Sequence, residues 1–249
     1  MGSRSTSART FRRSRAGTIP DSSVCVAFDV YTVSGDPEPL GFVLGLAEQL
    51  LEAFYDAEDG RIYFTRDLDS GSSGARSGSP EARSGAGDAF LFTRPQELTD
   101  RSTPSSLGVA VETLTVLDGF RTDRRFREVA QAVLATHSNR IRASPLEHVS
   151  LVRAAERVES GGIELTIAAD EIPNDWTETL AETYLPGAVV APRPPTSEGL
   201  EEWLNRLDLA EAPPIWTDRG ANDGAPTVYA CEGSVCSPPK TEIDWLVDR

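Results

Sequence analysis

Ser34-Gly35-Asp36-Pro37-Glu38-Pro39-Leu40-Gly41-Phe42-Val43-Leu44 carries the end of one helix and the start of the next. Glycine is the residue that most readily closes a helix in a left-handed conformation, so Ser34-Gly35 is a stop. Asp36 has the side chain of an N-cap, and Pro37 suits the first helical position because its missing N–H has no partner there anyway. Upstream, Val24, Phe28 and Tyr31 recur at helical spacing. Downstream, Leu40, Val43, Leu44, Ala47, Leu50, Leu51 and Phe54 mark one apolar stripe on a helix of about five turns. Two helices joined across so short a turn make an αα-hairpin.

The plan recurs further along. Ser105 or Ser106 caps a helix carrying Val109, Val111, Leu114, Val116 and Leu117, which breaks at Gly119. Asp123 is then placed to cap a second helix with Phe126, Val129, Val133, Leu134 and Ile141 on one face. Ser144-Pro145-Leu146-Glu147 reads as a capping box opening a third helix that ends near Gly161-Gly162. Between the hairpins, Asp59-Gly60 turns into the extended piece Arg61 to Thr65, and Ala89 to Thr93 is a matching piece. The stretch 67–88 between them, rich in Ser and Gly, reads as a flexible loop. From residue 161 the rhythm changes. Ile163–Ala168, Ala188–Ala191 and Thr227–Cys231 read as strands, alternating with helices over Trp176–Tyr184, Glu198–Leu207 and Thr241–Val247. Alternation with short links predicts a small parallel βαβαβα sheet with crossover helices. The predicted organisation is a basic disordered tail (1–21), a helical-hairpin region (22–160) and a small α/β module (161–249): mainly α, with a C-terminal α/β part.

Composition narrows the function. The formal charge of −15 over 249 residues argues against nucleic-acid binding, which needs a basic surface. No apolar run is long enough to span a bilayer. Lys240 is the only lysine, and an acid-rich, lysine-poor chain suits a high-salt, halophilic cytoplasm where screening weakens self-repulsion. Positive charge concentrates in the tail at Arg4, Arg9, Arg12, Arg13 and Arg15, before the first acid at Asp21. Three cysteines in a chain of this size point to a reducing compartment; a disulfide between Cys231 and Cys236 is geometrically possible across their turn, but the favoured expectation is buried thiols at a strand end. His137 and His148 are the only histidines, so no His-rich metal site is available, and no glycine pattern marks a nucleotide cofactor.

The densest polar stretch is Arg94-Pro95-Gln96-Glu97-Leu98-Thr99-Asp100-Arg101-Ser102-Thr103-Pro104-Ser105-Ser106. Glu97 and Asp100, three residues apart, are candidates for the acid and base of sugar chemistry, where one carboxyl must be raised in pKa and the other kept ionised. Arg94 offers a bidentate fork to an anionic substrate, with Ser105 beside it. The alternative is structural: Glu97 and Asp100 pair with Arg94 and Arg101, while Ser105 caps the next helix.

The run Arg94-Pro95-Gln96-Glu97 … Asp100 … Pro104-Ser105-Ser106 resembles the Arg-Pro-Lys-Glu … Asp … Pro-Ser-Gly-Asn signature of the spermatogenesis-associated thioredoxin-domain proteins. Gln96 stands in place of a lysine, and Ser106-Leu107 in place of Gly-Asn. Phe28-Asp29-Val30-Tyr31, Phe54-Tyr55-Asp56, Tyr184-Leu185-Pro186, Tyr229-Ala230-Cys231 and Cys236-Ser237-Pro238 extend the resemblance over residues 26–249. It implies an incomplete (α/α) toroid of the six-hairpin glycosidase kind. It also implies a chain that is the C-terminal part of such a protein, lacking its N-terminal thioredoxin-like domain, and a small carbohydrate-like ligand. The other expectations are a scaffold or partner-binding module without chemistry, or a truncated remnant without independent function.

Overall fold

The computed structural model describes residues 21–65, 94–233 and 235–247. The basic tail before Asp21, the loop 67–88 and the extended piece 89–93 lie outside them. The opening hairpin forms as its residues dictate. Helix α1 (Asp21–Ser34) ends at Gly35, which adopts φ +64°, and the Asp36 side chain accepts a hydrogen bond from Glu38 N at 3.0 Å to cap α2 (Pro37–Phe54). All seven apolar residues of the α2 stripe are buried. A short antiparallel hairpin follows, β1 (Tyr55–Asp56) with β2 (Arg61–Ile62).

Helix α3 (Ser106–Leu117) is the hub, packing against α1, α2, α4 and α5. A 3₁₀ turn over Asp118–Phe120 leads to α4 (Arg125–Ala143), whose Phe126, Val129, Val133, Leu134 and Ile141 are buried. Its cap differs from expectation. Arg124, in a left-handed conformation, holds the N-cap position, while Asp123 Oδ1 and Asp118 Oδ1 accept the N–H groups of Arg125 (3.2 Å) and Arg127 (3.0 Å). The predicted capping box at Ser144 is also corrected. Pro145–Glu147 is a separate 3₁₀ turn, Ser144 makes no side-chain cap, and α5 runs over Val149–Ser160.

The sheet is mixed, not parallel. Strand order is β4 (Val189–Arg193), β3 (Ile163–Ala168), β5 (Thr227–Glu232), β6 (Val235–Cys236). Strands β3 and β4 are parallel across α6 (Asn174–Glu182), but β5 is antiparallel to β3. The reason lies after β4: α7 (Ser197–Leu207) packs on α2, and the chain then returns through Ile215 and Trp216 before β5 begins. The expected last helix shrinks to a 3₁₀ turn at Asp244–Leu246, because Lys240 pairs with Val228 and so draws the preceding segment along the sheet.

Alternation along β3 and β5 sorts the two faces of the sheet. Leu165, Ile167, Val228 and Ala230 pack with Trp176, Ile243 and Leu246 in one core. The larger core joins the helices to Val189, Ala191, Leu200, Ile215 and Trp216 and so runs across residue 160. An aromatic chain threads it: Phe28, Tyr31, Phe120 and Trp216 meet edge-on or tilted at centroid distances of 5.7–5.8 Å, and the Tyr31 hydroxyl donates to Pro192 O at 2.8 Å. Each large side chain buried this way contributes about 1.5–3 kcal/mol.

Candidate functional site

The stretch from Arg94 to Ser105 is coil laid between the β2 end and the starts of α3 and α5. Phe64 N donates to Pro95 O at 2.8 Å, which anchors its beginning. Arg94 faces that anchor: Nη2 and Nε donate to Thr65 O at 2.9 and 3.2 Å, and the guanidinium lies 4.2 Å from the Tyr63 ring centroid. Gln96 Nε2 donates to Ile62 O at 3.0 Å and stands 3.5 Å from His137 Nε2. Leu98 is buried and fixes the middle of the stretch in the core.

Asp100 is the most connected group. Its Oδ1 accepts from Ser105 N at 2.7 Å and Ser150 Oγ at 2.5 Å, while Oδ2 accepts from Ser150 N at 2.7 Å. Asp100 N donates to Glu147 O at 2.8 Å. Ser150 lies in the first turn of α5, where the N-cap residue His148 supplies no side-chain cap. Asp100 therefore caps α5 from fifty residues away, and its negative charge suits the positive end of that helix. Ser105 caps α3 in the ordinary way, Oγ accepting from Gly108 N at 3.1 Å, and also lies 3.1 Å from Ser150 Oγ. Burial would raise the Asp100 pKa, but the hydrogen bonds from Ser150 and Ser105 outweigh it and hold the carboxyl below its ordinary range.

Glu97 is exposed, and its Oε2 accepts from Ser106 Oγ at 2.6 Å. It lines a shallow surface hollow of about 360 Å³ with Arg101 and Arg140. The structure thus brings Asp100 and Ser105 together, ties Glu97 to the neighbouring Ser106, and turns Arg94 away towards Thr65. No ion pair joins Glu97 or Asp100 to Arg94 or Arg101 among the described residues, so the polar stretch is held by hydroxyl and backbone donors instead. Chemically, Asp100 is an ionised acceptor already in use, and Glu97 is a solvent-facing carboxylate.

Sequence reasoning missed a cleft of about 370 Å³ between α1, α3 and α5. Phe28, Val109 and Val116 give it apolar walls, while Asp29, Glu112, Arg153 and Arg157 supply charge. Arg153 Nη2 pairs with Glu112 Oε1 at 3.1 Å, and Arg157 donates to Gly187 O. Ser150, the partner of Asp100, also lines it. The signal was available: Arg153 and Arg157 stand four apart, on one side of a helix.

Both histidines are buried. His148 Nδ1 bonds Ser144 O at 2.8 Å, and its Nε2 has no partner among the described residues. Burial lowers the His137 pKa, helped by the charges of Arg61, Arg140 and His148. No group of three or more metal-ligating side chains occurs among the described residues, and none of their helices is long and apolar enough to cross a membrane. The expectation of two free thiols is overturned. Cys231 and Cys236 form a disulfide with an S–S distance of 2.01 Å. The β5–β6 register sets the two residues directly opposite one another, 4.0 Å apart at Cα, across a turn in which Gly233 takes φ +59°.

No family model matches the chain. Over 220 residues it is 26% identical to spermatogenesis-associated protein 20 of Homo sapiens, a similarity that takes in 86% of this chain and 24% of that protein. The chain therefore spans about a quarter of the length of the curated relative it matches.

Proposed function

We propose that this chain is a non-catalytic helical scaffold, the C-terminal portion of a longer protein akin to spermatogenesis-associated protein 20, with one face held against the neighbouring helices of that protein. The observation that carries the reading is the use made of Asp100, whose two oxygens both accept bonds from the starts of α3 and α5. A carboxylate held below its ordinary pKa is a poor proton donor, and one already surrounded by donors of its own fold is a poor base. Glu97, Arg94 and Ser105 likewise serve segments of the fold. The docking face is supported by Val26, Val30 and Val33, which share one side of α1 and are 60%, 47% and 76% exposed. An open groove of about 630 Å³ beside them, walled by Pro39 and Phe42, suits an apolar helix from an adjoining hairpin. On the resemblance, that hairpin belongs to an (α/α) toroid, and a thioredoxin-like domain lies elsewhere in the longer protein.

Replacing Asp100 with Asn tests the scaffold role. Charged hydrogen bonds of this kind contribute about 2 kcal/mol, so Asp100→Asn lowers the melting temperature by about 4–8 °C. An unchanged melting temperature would sink the reading. A second reading, binding of a small carbohydrate-like ligand, is favoured by the cleft between α1, α3 and α5, which Asp29, Glu112 and Arg153 line together with Phe28. Calorimetry with a panel of neutral and acidic sugars, wild type against Glu112→Gln, tests it; equal weak heats for every sugar would end it.

A further inference from the structure

The Cys231–Cys236 disulfide is unequal in its surroundings. Cys231 is 2% exposed, whereas Cys236 is exposed at the sheet edge. Arg219 Nη2 donates to Cys236 Sγ at 3.8 Å. The same guanidinium is fixed from beneath, with Nη1 donating to Thr166 Oγ1 at 2.9 Å and Ile215 O at 2.7 Å. Its Nη1 also lies 3.9 Å from Glu164 Oε2. Glu164 is the β3 residue opposite Cys231 in the antiparallel register, so the two side chains rise from the same face of the sheet. Cys236 is thus the exposed residue, with a cation beside its sulfur, and Cys231 is the buried one, opposite the acidic Glu164 in register.

We propose that Cys231–Cys236 is a thiol–disulfide exchange site that accepts two electrons from a dithiol reductant, with Cys236 as the sulfur attacked, Arg219 favouring its thiolate and Glu164 supplying the proton to Cys231. In the first step a reductant thiolate attacks Cys236 Sγ. A sulfur–sulfur bond forms between them, the Cys231–Cys236 bond breaks, and the electron pair leaves on Cys231 Sγ, which takes its proton from Glu164. In the second step the other reductant thiolate attacks its own sulfur in the mixed disulfide. Cys236 leaves as a thiolate beside Arg219, and the reductant departs as its disulfide. Protein disulfide and dithiol become protein dithiol and disulfide, so atoms and electrons balance. A cation beside a sulfur favours the thiolate, which is why Arg219 belongs on the sulfur that leaves second. Burial raises the Glu164 pKa against the opposing pull of Arg219 and Arg157, with Asp118 adding to the rise, and this suits a group that must hold a proton to donate. The site stands apart from the scaffold reading and does not rest on it.

The test uses the full chain in a Cys25→Ser background, with dithiothreitol as the dithiol. Thiols are alkylated after an acid quench and counted by mass, with circular dichroism recorded in parallel. The expected result is reversible loss of the disulfide while the helical signal stays native. Cys231→Ser, exposed to oxidised glutathione, forms an adduct on Cys236 at least about tenfold faster than Cys236→Ser forms one on Cys231, as exposure of the thiol dictates. Glu164→Gln slows reduction by about a hundredfold below neutral pH and flattens its pH profile, the low side of what a positioned proton donor contributes. If the disulfide resists dithiothreitol until the fold melts, or if both serine variants react alike, the exchange site is overturned. A pH profile unchanged in Glu164→Gln overturns the role given to that residue. Should either serine variant fail to fold, reduction of the otherwise wild-type chain and the Glu164→Gln profile still decide the matter.

Discussion

Asp100 and His137 show how single protonation states are built into this fold. Asp100 is ionised and held below its ordinary range by donors from Ser150 and Ser105, so the stability it gives is present above about pH 4 and is lost as pH falls through its folded value. His137 is 8% exposed and its pKa is lowered by burial. Its unfolded form takes up a proton first, near pH 6.5, so the folded state loses stability from there downward until the folded imidazole is itself protonated. Glu164 has the opposite sign, since its raised pKa lets the folded state bind a proton more readily as pH falls, which offsets part of the loss. Denaturant midpoints measured from pH 8 to pH 5 are expected to decline, and His137→Gln to remove most of that slope. A midpoint that does not move across this range would contradict the buried, neutral imidazole.

At the scale of elements, the junction between α5 and β3 depends on Gly161. It takes φ +86°, and a Cβ there would come within 2.8 Å of Gly233 Cα in the β5–β6 turn. Gly161→Ala therefore meets both backbone strain and a backbone clash, and is expected to cost more than about 1 kcal/mol. Chemical denaturation against wild type checks this, with equal midpoints as the contrary result. The helices were legible because their apolar spacing states which face is buried, and every stripe residue of α2 is inside. The α5 cap was not legible, because the residue that provides it is Asp100, fifty positions earlier, instead of the local Ser144. Strand direction was hidden for a related reason: periodicity reports which side chains are buried, not which way the chain returns. The disulfide followed from register, which placed Cys231 opposite Cys236, whereas spacing alone left it as the lesser alternative to two thiols.

At the scale of the whole molecule, the formal charge is −15, and among the described residues the ion pairs are partly or fully solvent-exposed, as in Arg206–Asp36 at 3.1 Å and Arg125–Glu48 at 2.7 Å. Exposed pairs contribute little and lose little on screening, whereas net self-repulsion is relieved by salt. The melting temperature is therefore expected to rise between roughly 0.1 M and 1 M sodium chloride. A fall would mean that the pairs outweigh the repulsion. The helical region and the sheet melt together on this view, because Tyr31, Phe120 and Trp216 belong to one core. Of the candidate site, the residues of the polar stretch were visible in sequence, but what they hold was not, since Ser150 lies on a helix far along the chain.

The clamp at Asp100 also bears on the order of assembly. Its bonds to Ser150 close a loop of fifty residues, and such a closure carries an entropic cost that is recovered only after α3 and α5 already lie side by side. The first turn of α5 is therefore expected to join in the late steps of folding. Loss of the carboxylate in Asp100→Asn should then appear as faster unfolding with a nearly unchanged refolding rate in stopped-flow traces, making this group a latch on the native state and not a nucleus for reaching it.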